Sequence, residues 1–447
     1  MHQSQIEVKN CSSSICELYK DSLPESATHW LVVTAGFFSF LFATTFVLIS
    51  QPFSNLVHSA LFIFGVTAGV ILIIDLTWQK VYLRPSTGLD FTHDDPSWNR
   101  TLHKFAGLLG SLVFIGFLYW LFPEYHGSFY DPYYDLLKIL LPPWLVLAIP
   151  YLYFVDRKMV QPYDGYWQLG KFLTLQIGAV DWKKLKQHLL GWLIKGYFLP
   201  LMFVYLCQDL NRFLSFDFTR QSSANFQQIY DFLYPFLFLI DVNFATLGYL
   251  MSLRLADTHL RSAESTLLGW VVALACYEPF WSLVSHQYLA YETSYRWGAW
   301  LWGTPLLYEL WGSAILLLLA VYVWATIMFG IRFSNLTHRG IITNGPYRWT
   351  KHPAYLAKNL SWWMISIPWL AQGGHAEALH HCLLLLLLNL VYYFRAKTEE
   401  RHLAKDPTYI IYIRWIECHG IFSVIVKSMV RTVWEPTIKR LAPAGRS

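Results

Sequence analysis

Long apolar runs separated by short polar stretches dominate the chain. A bilayer core needs about 20 apolar residues per helix. Ten segments meet that length, near 30–50, 58–78, 105–122, 136–155, 190–208, 229–252, 267–286, 306–331, 354–371 and 376–396. The pattern predicts an all-α, polytopic membrane protein with about ten transmembrane helices. The ninth and tenth form a hairpin around Gln372-Gly373-Gly374, and proline falls within three segments (Pro142 and Pro143, Pro200, Pro368). Membrane helices tolerate proline where neighbours satisfy the freed backbone groups.

Lysine and arginine positions predict the orientation. With the N-terminus inside, 29 of the 34 basic residues fall in the inside segments and 3 in the outside loops. Cytoplasmic loops carry such an excess, so both termini, loop 332–359 and the tail are expected to be cytoplasmic. Residues 1–28 are polar and lack the apolar core of a signal peptide. Two basic stretches, 181–190 and 409–441, carry apolar faces. Each reads either as lying on an anionic membrane surface or as a solvated or protein-packed face.

Composition sharpens the class. Hydrophobic residues make up 55% and charged residues only 14%, against about 25% charged in soluble domains. This excludes a disordered chain, a collagen and a disulfide scaffold, and argues against an ordinary soluble enzyme. The net charge of +5 is too mild for a nucleic-acid binder without a dense basic patch. The six cysteines form no CxxC, and no histidine spacing completes a zinc set. No metal is expected, and the thiols read as buried and reduced.

Polar chemistry concentrates in one inside block, Arg332 to Tyr355. Asn344-Gly345-Pro346 signals a turn. Pro353 suits the first position of a helix, where its missing N–H would be unpaired anyway. That places His352 at the helix N-terminus, with Tyr347 and Tyr355 near the membrane surface. A second block, Arg395 to Leu403, closes the tenth helix. Arg395 and Glu399 are spaced i, i+4 and share one face. Because the last two helices are antiparallel, the two blocks converge on one interfacial pocket.

These residues resemble a known family. Gly345-Pro346-Tyr347, Lys351-His352-Pro353-Ala354-Tyr355, Arg395-x-x-x-Glu399-Glu400, and then Tyr409 and Tyr412 are similar to the ordered elements of isoprenylcysteine carboxyl methyltransferases and their bacterial relatives. The resemblance covers roughly 330–415. It implies an integral membrane methyltransferase that uses S-adenosylmethionine. Carried over, Arg339, Gly340, Ile341 and Ile342 would line the cofactor through backbone groups. Tyr347 would contact it, and His352, Pro353, Ala354 and Tyr355 would surround it. Glu399 would bind a polar end of the cofactor, and Arg395 would face the acceptor. Arg395 and Glu399 are thus the expected catalytic pair. Two positions depart from the family: Lys351 replaces an arginine before His-Pro and loses its bidentate fork, and Arg339 stands where animal members carry histidine, with His338 adjacent.

The resemblance implies a lipophilic or lipidated acceptor taken from the membrane lipids, an isoprenylcysteine-type carboxylate being one option and other hydrophobic molecules equally open. It divides the chain into an N-terminal segment (1–28), an eight-helix region (29–331), the methyltransferase-like region (332–415) and a basic interfacial tail (416–447). Sulfonium methyl transfer relies on positioning more than on acid–base work. One rival is a sterol-reductase-like enzyme using NADPH, but Tyr355 is followed by Leu356-Ala357-Lys358 rather than Gly-Asp. A second rival is a transporter, for which no inverted repeat is visible. Four acids within predicted helices, Asp75, Asp241, Glu278 and Glu309, read as cavity or proton-path groups, or as hydrogen-bonded structural pairs.

Overall fold

A computed structural model describes residues 23–216, 225–293 and 295–429. Eight helices among them are long and apolar enough to cross a membrane: α1 (Trp30–Ser50), α2 (Leu56–Thr77), α3 (Trp98–Leu121), α4 (Asp131–Lys158), α6 (Trp182–Leu214), α7 (Phe226–Leu250), α10 (Pro305–Phe329) and α12 (His375–Leu403). Shorter helices are α5 (Gly165–Leu173), α8 (Leu267–Leu274), α9 (Trp297–Leu301), α11 (Pro353–Ser366), α13 (Pro407–His419) and α14 (Ile421–Met429). Local chemistry starts several of them. Asn55, Ser97, Asp164, Asp181 and Asn225 each accept a backbone N–H of the first turn, the role of an N-cap. Residues 181–190 are therefore the first turns of α6 rather than a separate surface helix. Of the basic tail, residues up to 429 form α13 and α14, and 430–441 lie outside the described residues.

Ten uninterrupted helices were expected, and two of the segments are broken. The seventh begins as α8 and stops at Cys276-Tyr277-Glu278-Pro279. Pro279 has no N–H to continue the ladder. The Glu278 carboxylate instead accepts from Ser282 N at 3.3 Å and Ser282 Oγ at 2.7 Å, and a π-turn follows over Leu283–Tyr288. α8 and the π-turn together make up the segment. Its start is tied to the ends of α7 and α10, where β1 (Ser262–Ala263) pairs antiparallel with β2 (Thr337–His338). Beyond the segment, Trp297 of α9 packs against Tyr230 and Tyr308, near the starts of the same two helices. The ninth segment, α11, ends at Ser366. Ile367 adopts a left-handed conformation (φ +37°) before Pro368, and the residue before a proline is disfavoured in a helix.

One apolar core joins α1, α2, α6, α7 and α10. A second device ties α3, α4 and α5. Lys104, 1% exposed, lies 2.7 Å from Asp156 and 3.5 Å from Asp164, and Arg100 Nε lies 2.9 Å from Asp156. There α3 and α5 cross at two glycines. A Cβ on Gly107 would fall on the Tyr166 carbonyl, and one on Gly170 on the His103 carbonyl. Small residues permit such close backbone approach between membrane helices. The remaining acids are local. Asp75 ends α2 within the field of Arg332 and Arg84, and Glu309 is exposed on α10. Cys207 and Cys276 are buried free thiols, whereas Cys418 is disulfide-bonded, which corrects the expectation of reduced thiols throughout.

An N-terminal strap fixes the loop after α10. Ala27 N donates to Ile341 O at 2.8 Å, Thr343 Oγ1 to Pro24 O at 2.8 Å and Asn344 Nδ2 to Thr28 O at 2.9 Å. Gly340 has φ +111°, and a Cβ there would collide with that of Ala27.

Two predictions follow from this packing. Gly107→Ala should lower stability by roughly 1–3 kcal/mol through overpacking, read as a lower unfolding temperature in detergent. Gly116→Ala, on the same helix but with nothing near its Cβ, should not. The second concerns His338. Burial and the Arg261 charge push its imidazole down to about 4, against the pull of Asp406, whose carboxylate lies 3.2 Å away. The unfolded chain takes up this proton near the ordinary value of about 6.5, before the fold does. Stability should therefore fall as pH drops from about 6.5 towards about 4, and His338→Gln should shrink that slope in thermal scans.

Candidate functional site

A cavity of about 1020 Å³, counted to its open mouth, lies where the loop after α10 meets α8, α10, α11 and α12. Each wall follows from a local sequence feature. Pro353 starts α11, so His352, Tyr355 and Lys358 come at successive turns beside the cavity. On α12, Arg395, Thr398, Glu399 and His402 recur at i, i+3, i+4 and i+7 and present one polar stripe.

At the mouth, Tyr355 OH donates to Glu399 Oε2 at 2.8 Å. The His352 ring stacks on Tyr355 with centroids 5.4 Å apart and planes 4° from parallel. His352 Nε2 lies 3.1 Å from Glu400 Oε1, which Lys351 Nζ also reaches at 3.0 Å. The adjacent carboxylates thus divide: Glu400 is neutralised by Lys351, His352 and Lys397, and Glu399 is left facing the cavity with Tyr355. At the rim, burial would raise the Glu264 carboxyl, but hydrogen bonds from Thr266 and the nearby His402 and Arg401 hold it below the usual range.

Deeper in, Arg395 is buried. Its Nη2 donates to Asn335 Oδ1 at 2.7 Å, and Cζ lies 5.0 Å from the Tyr355 ring, 5.3 Å from Tyr277 and 5.8 Å from Tyr392. Asn335 Nδ2 in turn donates to Tyr249 and Tyr277, each at 2.9 Å. Arg395 is therefore not spent on an i, i+4 pair with Glu399. Asp241 forms part of the floor support, accepting from Tyr322 OH at 2.6 Å and Thr326 Oγ1 at 2.5 Å.

Of the residues singled out in the sequence, Tyr347, His352, Ala354, Tyr355, Arg395 and Glu399 line this cavity. Arg339, Gly340, Ile341, Ile342 and Pro353 do not. The Arg339 guanidinium is buried elsewhere, donating to the carbonyls of Thr258, Gly248, Phe333 and Met251 and to Ser252 Oγ. Residues 340–342 face the N-terminal strap. Tyr409 and Tyr412 pack on Ile341 and Ile416, and Tyr412 OH donates to Tyr347 O at 2.7 Å, bracing the loop from behind. Sequence reasoning passed over Asn335, Tyr277, Tyr322, Lys358 and Tyr392. A signal existed for two of them: Asn335 lies inside the polar block, and Lys358 shares a helical face with Tyr355.

Residues 309–405 match the model of the isoprenylcysteine carboxyl methyltransferase (ICMT) family. The matched segment contains α11, α12 and the loop before them, and so most of the cavity wall; α8 and Asp241 lie outside it. The match supports a membrane methyltransferase. No curated protein and no solved structure matches the chain. Methyltransferases generally use S-adenosylmethionine, and the residues present fit it. The Glu399 carboxylate suits the cofactor's hydroxyls or ammonium, and the Tyr347 ring suits a sulfonium or an adenine ring.

Proposed function

We propose that the protein transfers a methyl group from S-adenosylmethionine to a lipophilic acceptor at the cytoplasmic face of a membrane. The observation that carries this reading is the division of labour within one cavity. Glu399 with Tyr355 is at the mouth, and Arg395 stands four residues further along the same helix, about 6 Å deeper at 1.5 Å per residue. A water-soluble cofactor reaches the first, and a membrane-dissolved acceptor reaches the second. The cofactor supplies the electrophilic methyl group when bound. The chain supplies position: Glu399 holds a polar end of the cofactor, Tyr355 orients Glu399, and Arg395, held by Asn335, orients the acceptor. Arg339 and the backbone of 340–342 do not line the cavity and, in this reading, serve the loop rather than the cofactor.

Titration calorimetry tests the cofactor, with NADPH as the comparator. S-adenosylmethionine should bind and NADPH should not. Glu399→Ala and Tyr347→Ala should each weaken binding while leaving the fold intact, by about 10- to 150-fold for the loss of a charge-assisted hydrogen bond of roughly 1.5–3 kcal/mol. Arg395→Ala should lower methyl transfer and leave cofactor affinity within a few-fold. Unchanged affinity in both Glu399→Ala and Tyr347→Ala would remove the cofactor from this cavity.

The orientation rests on the distribution of basic residues. A reporter fused after Ser447 that is active only outside should stay silent; activity there would reverse the assignment.

A further inference from the structure

The deep end of the cavity holds a cation that the transfer reaction, as read above, does not use. Lys358 lies three residues beyond Tyr355 on α11 and lines the cavity. Its Nζ sits 5.3 Å from the ring centroid of Trp362, 5.5 Å from Tyr322 and 6.0 Å from Tyr392. Ring faces attract an ammonium, but they fill no N–H donor as an oxygen lone pair does. An ammonium carries three such donors, and among the described residues none of the three has a hydrogen-bond acceptor. A charge in such a place is costly unless it is paired and hydrogen-bonded.

Two neighbours define what would complete it. Asp241 attracts Lys358, but its two oxygens already accept from Tyr322 and Thr326. Arg395 approaches the same Tyr392 ring and repels Lys358. Two cations therefore share one wall, and of its carboxylates Asp241 is held by Tyr322 and Thr326 and Glu399 by Tyr355, so neither hydrogen-bonds the Lys358 ammonium. An alkyl chain would leave the ammonium unbonded, and an alcohol would offer it a lone pair without a charge. An oxyanion would supply both.

We propose that Lys358 is a specificity-determining residue of the acceptor subsite, taking the oxyanion head of an amphiphile, carboxylate or phosphate, together with Arg395. Asp241 is the resting counter-ion of the ammonium. The inference rests on the reading of this cavity as the acceptor site. It goes beyond that reading by assigning the head-group chemistry to Lys358 and by drawing α7, which lies outside the family match, into acceptor recognition through Asp241.

The test measures equilibrium binding of radiolabelled hexadecanoate, hexadecyl phosphate and hexadecanol to the purified full chain, without cofactor. At least one anion should bind about tenfold or more tighter than the alcohol, as expected for a charge-assisted hydrogen bond. Whichever anion is preferred identifies the head group. Lys358→Gln should abolish the preference while hexadecanol binding stays within about twofold, and Lys358→Arg should keep it. Cofactor affinity in Lys358→Gln should remain within about threefold, which also reports that the cavity is folded. Equal binding of anions and alcohol by the wild type, or a preference that survives Lys358→Gln, overturns the proposal. If S-adenosylmethionine fails to bind the wild type while the anion preference still depends on Lys358, the cofactor assignment falls and the anion subsite stands.

Discussion

The buried guanidinium of Arg395 is the point on which the site turns. It cannot lose its charge, so its surroundings must satisfy it. They do so with one amide and three tyrosine rings drawn from four separate stretches of chain. Asn335 brings the loop after α10, Tyr277 the broken seventh segment, Tyr355 α11 and Tyr392 α12 itself. The cavity is the space these four elements leave around one cation. The break at Glu278-Pro279 belongs to the same arrangement, since Tyr277 is the last residue before the interruption.

The N-terminal helices are not a detachable module beneath this site. Their core runs continuously into α10 and includes Ile342 of the loop. Asn335 is held by Tyr249, which stands near the end of α7. A helix outside the family match thus positions the amide that positions the arginine. Local stability and site geometry are coupled through α7, and substitutions there will act on the cavity without lining it.

Most of the long helices were legible in the sequence, because an apolar run of bilayer length has few other solutions. The two exceptions have local causes. Glu278-Pro279 offers a carboxylate to a serine where the ladder would need an N–H, and Ile367-Pro368 closes α11 early. In the site, Tyr355, Glu399 and Arg395 were legible because helical spacing alone puts them on facing stripes. The backbone of 340–342 was not, because the side it faces depends on hydrogen bonds to residues near 24–28. The same holds for Lys358 and Asn335. Their surroundings come from Tyr322, Tyr249 and Tyr277, whose proximity no local pattern encodes.

The N-terminal strap has a consequence for the order in which the molecule is made. Pro24 and Thr343 are 319 residues apart, and their hydrogen bond closes across more than two thirds of the chain. At about 5–20 residues per second, the strap emerges roughly 15–65 s before its partner exists. Through that interval the first helices must be inserted with the strap's carbonyls still bonded to water. The loop that carries Tyr347 can be set only when the last quarter of the chain begins to arrive. A ribosome-stalled chain ending before residue 341 would therefore hold most of its helices, with Tyr277, Tyr322 and Asn335 of the cavity wall, but neither Tyr355 nor the stripe of Arg395 and Glu399.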